Sequence, residues 1–452
     1  MYFCRRIKNK SKKKKMKTQN LINGLLLSGL VILSSCKKDS ATPEPANLDC
    51  NSVENGIAVL DDCETCHQSY MYEGMGVMTY VATYADTVGV AGTFVLAGSS
   101  MDIMSNPNWN NCNKYTFNHQ GQSTVSYGGQ TARLIMASEM LSALNSSSTT
   151  TADLVSMWNN DGWNWASADA NASTKNIGGK TAAGNETPLT SSESAAVIDK
   201  FVAWFTDYSD NVAQIMDGNE NSHPAMAGTA GWIENRELNA HGFEYDQFVA
   251  KTLIGGMCLD QVVNGYLSPT KLNVDNADRT DGYTSMEHHW DEAFGYVYGK
   301  FGPDNVDGDL STDGLLGKYL NKSAFATEKA AVFQAFIDGR QAIVDMDYTQ
   351  RDAQALIIKN NLSVLVAQKA HDYLTDASAD VASLNADYFH GLSEGYGFIM
   401  SLQFTNFNGA PYFTHTEVMD MIATLEAGNG FWDRTASELD AMAAQIQAAA
   451  GL

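Results

Sequence analysis

Three pairs of histidine and glutamate stand at helical spacing in this chain: His241 with Glu244, His289 with Glu292, and His390 with Glu394. Separations of three or four residues set both side chains on one helix face, where an imidazole nitrogen and a carboxylate can converge on one ion. Helical bundles build di-iron sites from Glu and Glu-x-x-His on facing helices, the same ingredients in the opposite order. His288 adds a candidate ligand beside His289, and Asp291 a carboxylate able to hold an imidazole N–H. His289 and Glu292 are expected to lead, His241 and Glu244 to follow, and the ion to be iron or another divalent cation. Each pair also has a plain structural reading, an imidazole bonded to a main-chain carbonyl, which needs no ion.

A second constellation is Cys63-Glu-Thr-Cys66-His67. This pattern suits covalent haem c: two thiols form thioethers to the vinyl groups and the adjacent imidazole ligates the iron. The same sulfurs have another use. Cys50, Cys63, Cys66 and Cys112 could form two disulfides, with three pairings open to them. Cys258 lies in the apolar run Leu253 to Leu259 and is expected to be a buried thiol. Hydrolytic chemistry has thinner support, because the chain lacks both His-Glu-x-x-His and Gly-x-Ser-x-Gly. The acidic stretches Asp275 to Asp281 and Asp304 to Asp309 lack the spacing of a calcium loop and are expected to be solvated turns.

Long helices must carry these residues. Apolar positions keep helical spacing over Phe243 to Tyr266, Thr327 to Ile343 and Ala353 to Leu374, and only eight prolines interrupt the whole chain. Four capping boxes announce helix starts: Thr190 with Glu193, Thr284 with Glu287, Thr414 with Glu417, and Thr435 with Glu438. Helical patterning begins near Thr131, with loops expected at Asn145 to Thr151 and Asn171 to Pro188. Ahead of it, Val77 to Tyr84 and Val88 to Leu96 are rich in Val, Thr and Tyr and lean toward strands. The expected architecture is all-α: a large helical bundle over 111–452, with a small Cys-containing irregular or β module at 48–110.

The N-terminus speaks of compartment. A basic run, Arg5 to Lys17, precedes an apolar stretch, Leu21 to Leu33, too short for a lasting membrane span. It ends in Leu33-Ser34-Ser35-Cys36, which resembles the bacterial lipobox, where the thiol is acylated and the chain is cut before it. Residues 1–35 are therefore expected to be a lipoprotein signal peptide, Cys36 the lipidated residue, and 36–47, with Pro43 and Pro45, a tether. A membrane is then the first expected partner, and the cell envelope, outer membrane included, the location. The chain carries 29 basic and 52 acidic residues, net −23, and without its first 35 residues the balance falls to −32. Such a charge repels nucleic acid and suits cations.

Four segments are familiar in this order: Ser126-Tyr-Gly-Gly-Gln-Thr-Ala-Arg133, His241-Gly-Phe-Glu-Tyr-Asp-Gln247, Met286-Glu-His-His-Trp-Asp-Glu-Ala293, and His390-Gly-Leu-Ser-Glu-Gly-Tyr-Gly-Phe398. Together they resemble the domain-of-unknown-function family numbered 4856, lipoproteins of Bacteroidetes, from about Tyr115 to the C-terminus. The family is distantly similar to imelysin-type helical proteins, which carry Gly-x-His-x-x-Glu. Here His289-Trp-Asp-Glu292 supplies the His-x-x-Glu part, while position 287 is Glu. The resemblance implies a helical envelope protein, a role beside an outer-membrane transport system in iron uptake, and, as the alternative, a metallopeptidase.

Overall fold

Apolar residues at helical intervals decide the body of this molecule. In the helix Tyr348–Asp380, the buried side chains Ala355, Ile358, Leu362, Leu365, Ala370, Leu374 and Ala377 recur at three to five residues and form one stripe. A stripe that long needs several partners. It packs against the helices Ala326–Val344, Ala386–Ser401 and Ala436–Ala450. The computed structural model describes residues 48–60, 66–74, 77–97, 99, 114–120 and 122–452. The basic lead, Cys36 and the tether lie outside them.

We number the principal helices α1 Gly128–Ala143, α2 Thr151–Asn159, α3 Ser191–Asp207, α4 Tyr245–Leu253, α5 Ser285–Tyr298, α6 Ala326–Val344, α7 Tyr348–Asp380, α8 Ala386–Ser401, α9 His415–Glu426 and α10 Ala436–Ala450. All four capping boxes form: each threonine hydroxyl accepts the N–H three residues on, and each glutamate reaches back to the threonine N–H. A fifth, Thr150 with Asp153, opens α2. The helical body is as the apolar spacing indicates.

One departure from regular winding matters for the site. Beyond α4 the chain continues as two π-wound segments, Ile254–Leu259 and Gln261–Tyr266. Wider turns shift the register of the helix and re-aim its side chains, a device common near functional sites. α4 also runs very close to α8. A side chain on Gly255 would come within 2.3 Å of Ser401, and one on Gly397 within 2.4 Å of the Lys251 side chain. Phe248 and Tyr396 stack across this crossing with ring centres 3.8 Å apart.

Strands are few. Tyr70–Gly74 (β1), Val77–Tyr80 (β2) and Thr93–Val95 (β3) make an antiparallel sheet in the order β2-β1-β3. Ile57, Met71 and Val81 give this N-terminal segment a small core of its own. Gly231–Ile233 (β4) and Arg236–Leu238 (β5) form a hairpin just ahead of α4. Among the described residues, no helix is long and apolar enough to cross a membrane.

Candidate functional site

The hairpin delivers the chain to α4 through a tight turn. Asn239 Oδ1 accepts the N–H groups of His241 and Phe243 at 2.8 and 2.9 Å, and Gly242 takes φ +79°, a conformation costly for other residues. Glu244 then occupies the N-cap of α4, but its side chain caps nothing. It turns inward to α8. Glu244 Oε2 lies 2.6 Å from His390 Nδ1, and Glu244 Oε1 accepts from Arg236 Nη1 at 3.1 Å. On the other side of the imidazole, His390 Nε2 stands 3.8 Å from Glu394 Oε2, one helical turn on. The second oxygen of Glu394 accepts from Tyr319 Oη at 2.7 Å and pairs with Lys251 Nζ at 2.9 Å.

An imidazole thus lies between two carboxylates from different elements. The Glu244 side chain is 3% exposed and the His390 side chain 23%, so the ring closes the centre against solvent. Burial alone would push Glu394 up, but Lys251 and the hydroxyls of Tyr373 and Tyr319 hold it down at about 2. Two neighbours behave oppositely. Burial, then repulsion from Glu244, pushes Asp246 to about 6. Burial pushes Glu237 to about 8, with Asp246 and Glu244 adding to it. Four carboxyl groups, Glu237, Glu244, Asp246 and Glu394, thus share two cations, Arg236 on Glu244 and Lys251 on Glu394.

The sequence-expected residues divide. His390, Glu394 and Glu244 meet, although the spacing argument pairs Glu244 with His241. His241 sits in the turn before α4, exposed, with its ring stacked on Phe243 at 5.5 Å, so the expected His241/Glu244 pair does not form. The reason is local. Gly242 and the Asn239 turn start the helix only after Glu244, and i,i+3 geometry needs a helix across both residues.

The pair expected to lead also separates. His289 Nδ1 is 2.7 Å from the Lys271 carbonyl oxygen, and burial lowers the pKa of its ring. Glu292 Oε1 accepts from Gln130 Nε2 at 3.0 Å, and its carboxylate also takes the Tyr266 hydroxyl. His288 stacks on Tyr283, with Nε2 3.8 Å from Glu292 Oε2. Asp291 holds no imidazole. It is fully buried and accepts from Tyr115, Ser126 and Arg340. Glu287, at the position of the missing glycine, is the cap partner of Thr284 and is gripped by Arg279 and Arg340. Among the described residues, no three His, Cys, Asp or Glu side chains stand close enough together to hold one metal ion.

Cysteine chemistry takes one definite form. Cys50 and Cys66 are joined, with Cα atoms 5.7 Å apart. A thioether on Cys66 and this disulfide exclude one another. His67, beside it, is buried. Cys63 and Cys112 lie outside the described residues. Cys258 is a buried free thiol, as its apolar run implies. The acidic loops fold on themselves: Asp275 accepts from Ala277 and Asp278, Asp278 from Thr280, and Asp309 from Ser311.

Several residues of the centre belong to no sequence motif. Lys251 is a cation in the otherwise apolar run that follows Gln247, and its charge there is the signal that a buried acid waits for it. Tyr319, from the short helix Leu316–Leu320, carries no such mark.

A family model, described as a domain of unknown function (DUF4856), matches residues 112–452. No curated protein and no solved structure matches the chain.

Proposed function

The chain belongs to the DUF4856 family, and from that premise we propose that it is a non-enzymatic, lipid-anchored envelope protein that binds a divalent cation, iron foremost. The ligands in this reading are His390 Nε2 and Glu394 Oε2, with water filling the remaining positions. One observation carries it: Glu244 accepts from His390 Nδ1 at 2.6 Å, which leaves Nε2 turned toward a carboxylate 3.8 Å away. A carboxylate behind an imidazole fixes the ring's tautomer and orientation, an arrangement that metal-binding histidines use widely. Two protein ligands fall short of the three that a hydrolytic zinc centre needs, which favours binding over catalysis. The acidic balance of the chain favours cations near it.

Titration of metal-free protein with Fe(II) and Zn(II) under anaerobic conditions tests the site. Saturable binding is expected in the native protein, with at least about tenfold weakening in His390→Ala, the size of effect expected of a lost ligand. His289→Ala should bind as the native protein does. Equal binding by both variants, or none by the native protein, would overturn the reading.

The anchor rests on Leu33-Ser34-Ser35-Cys36, and an outer-membrane transport system remains the proposed partner. In the native host, Cys36→Ala is expected to move the protein from the membrane to the soluble envelope fraction, and to abolish incorporation of labelled fatty acid. Retention of label in that variant would exclude Cys36 as the acceptor.

A further inference from the structure

Cations are scarce in this chain, yet Arg133, Lys175 and Lys271 all lie close enough to Lys180 to repel it, beside the face of α5 that carries His289 and Glu292. Arg133 comes from α1, Lys175 and Lys180 from the loop between α2 and α3, and Lys271 from the short helix Pro269–Leu272. Arg133 and Lys175 close over the bare backbone of Gly129, where an added side chain would meet Lys175 Cε at 3.3 Å and Arg133 Nη1 at 3.5 Å. Lys180 Nζ lies 5.3 Å from the centre of the Tyr266 ring, and that ring is 6.2 Å from the His289 ring, which the Lys271 carbonyl holds. Among the described residues, no carboxylate lies within 4 Å of any of the four cations. Glu292, whose charge acts on Lys180, is already engaged by Gln130 and Tyr266.

Unpaired cations repel one another, so a fold tolerates such a group only if other forces hold it. Here the backbone that carries Lys180 is fastened along the π-wound segments. Gln261 Nε2 donates to the Lys180 carbonyl at 3.1 Å, Ala182 N to the Gly256 carbonyl at 2.7 Å, and Glu186 N to the Asn264 carbonyl at 2.7 Å. Asp260, fully buried, accepts the Gly184 N–H at 2.6 Å and binds Asn264 at 3.0 Å. Regular α winding after Leu253 would turn Asp260 and Asn264 away from this loop. The cations are positioned by the core, not left over on a solvated surface.

We propose that Lys180, Lys271 and Arg133 form a binding site for a small oxyanion, a phosphate or carboxylate group. Lys180 and Lys271 are half-buried, so each ammonium retains an open side, and partial desolvation strengthens its attraction to an anion. Arg133 spends Nε on the Asn176 carbonyl and Nη1 on that of Gly129, which orients the guanidinium as a fixed positive charge. Glu292 at the edge disfavours a bare multiply charged anion and favours a ligand that brings an N–H or O–H beside its oxyanion. This site is separate from His390 and does not depend on the cation reading.

Calorimetric titration of the native protein with inorganic phosphate and with glycolate, each of which carries an O–H beside its oxyanion, at low salt, tests the proposal. Sedimentation with phosphatidylglycerol–phosphatidylcholine vesicles runs beside it. Saturable binding of either soluble anion is expected, weakened about tenfold in Lys180→Gln and restored in Lys180→Arg, the change expected for one charge-assisted hydrogen bond. An unchanged melting temperature in Lys180→Gln confirms an intact fold. Lys180-dependent sedimentation without soluble binding would assign the same site to a lipid headgroup. Absence of both, or binding indifferent to Lys180→Gln, would overturn the proposal.

Discussion

Replacing Arg340 with Met is expected to destabilise the protein by about 3–5 kcal/mol, the usual cost of leaving buried charge without its partner. Arg340 is fully buried on α6. Its Nε donates to Asp291 at 3.1 Å, Nη1 to Glu287 at 3.0 Å and Nη2 to Thr124 at 2.9 Å, and the guanidinium lies 4.8 Å from the centre of the Phe117 ring. Methionine matches much of the stem but donates nothing. Glu287 keeps Arg279, whereas Asp291 keeps only the Tyr115 hydroxyl and the Ser126 N–H. Asp291 is then the uncompensated charge, so the double replacement Arg340→Met, Asp291→Asn should recover part of the loss. Urea denaturation of the three proteins decides it. A loss under about 1 kcal/mol in Arg340→Met would mean that this cluster is replaceable by packing alone, as some buried ion pairs are.

The second large effect concerns pH. Glu237 holds its proton in the folded protein up to about 8, while a carboxyl in the unfolded chain releases it near 4.5. A raised carboxyl makes its full contribution below the unfolded value and loses it as pH climbs through the folded one. Stability should therefore decline between about pH 4.5 and 8, by on the order of 1–4 kcal/mol from Glu237 given its partial contact with water. Asp246 and Asp260, each at about 6, add to the decline between 4 and 6. Glu394 acts in the opposite sense. Held at about 2, it contributes above 4.5 and loses its contribution as pH falls toward 2. The melting temperature should peak in mild acid. Glu237→Gln, which removes the carboxyl, should flatten the fall between about pH 6 and 8, and an unchanged slope would assign the pH dependence elsewhere.

These results share a cause. Acids outnumber bases in the chain, so buried carboxylates compete for few cations, and where the cations are spent shapes the molecule. Lys251 goes to Glu394 and Arg340 to Glu287 and Asp291, while Glu237 remains without one and answers by keeping its proton up to about pH 8. Against that scarcity, the grouping of Arg133, Lys175, Lys180 and Lys271 away from carboxylates stands out as a place that still has charge to offer.

Local chemistry was legible in the residues themselves. The threonine–glutamate boxes start helices because both partners lie within one turn, and the stripe on α7 buries itself because its period is that of the helix. The loops at Asn145 to Thr151 and Asn171 to Pro188, the strand-leaning N-terminal segment and the buried Cys258 follow from equally short-range preferences. The choice among cysteine pairings did not, since joining Cys50 to Cys66 depends on how the intervening chain turns back.

Only the tertiary structure decided which imidazole met which carboxylate. Spacing offers His241 to Glu244 and His289 to Glu292, but a spacing rule knows neither where a helix begins nor which carbonyl lies nearby. The Asn239–Gly242 turn removes His241, the Lys271 carbonyl takes His289, and the close crossing of α4 and α8 presents Glu244 to His390 from 146 positions away. Helix periodicity is a property of neighbours in the chain. A binding centre is a property of neighbours in space, set here by glycines that let two backbones approach and by a π-wound segment that no local pattern announces.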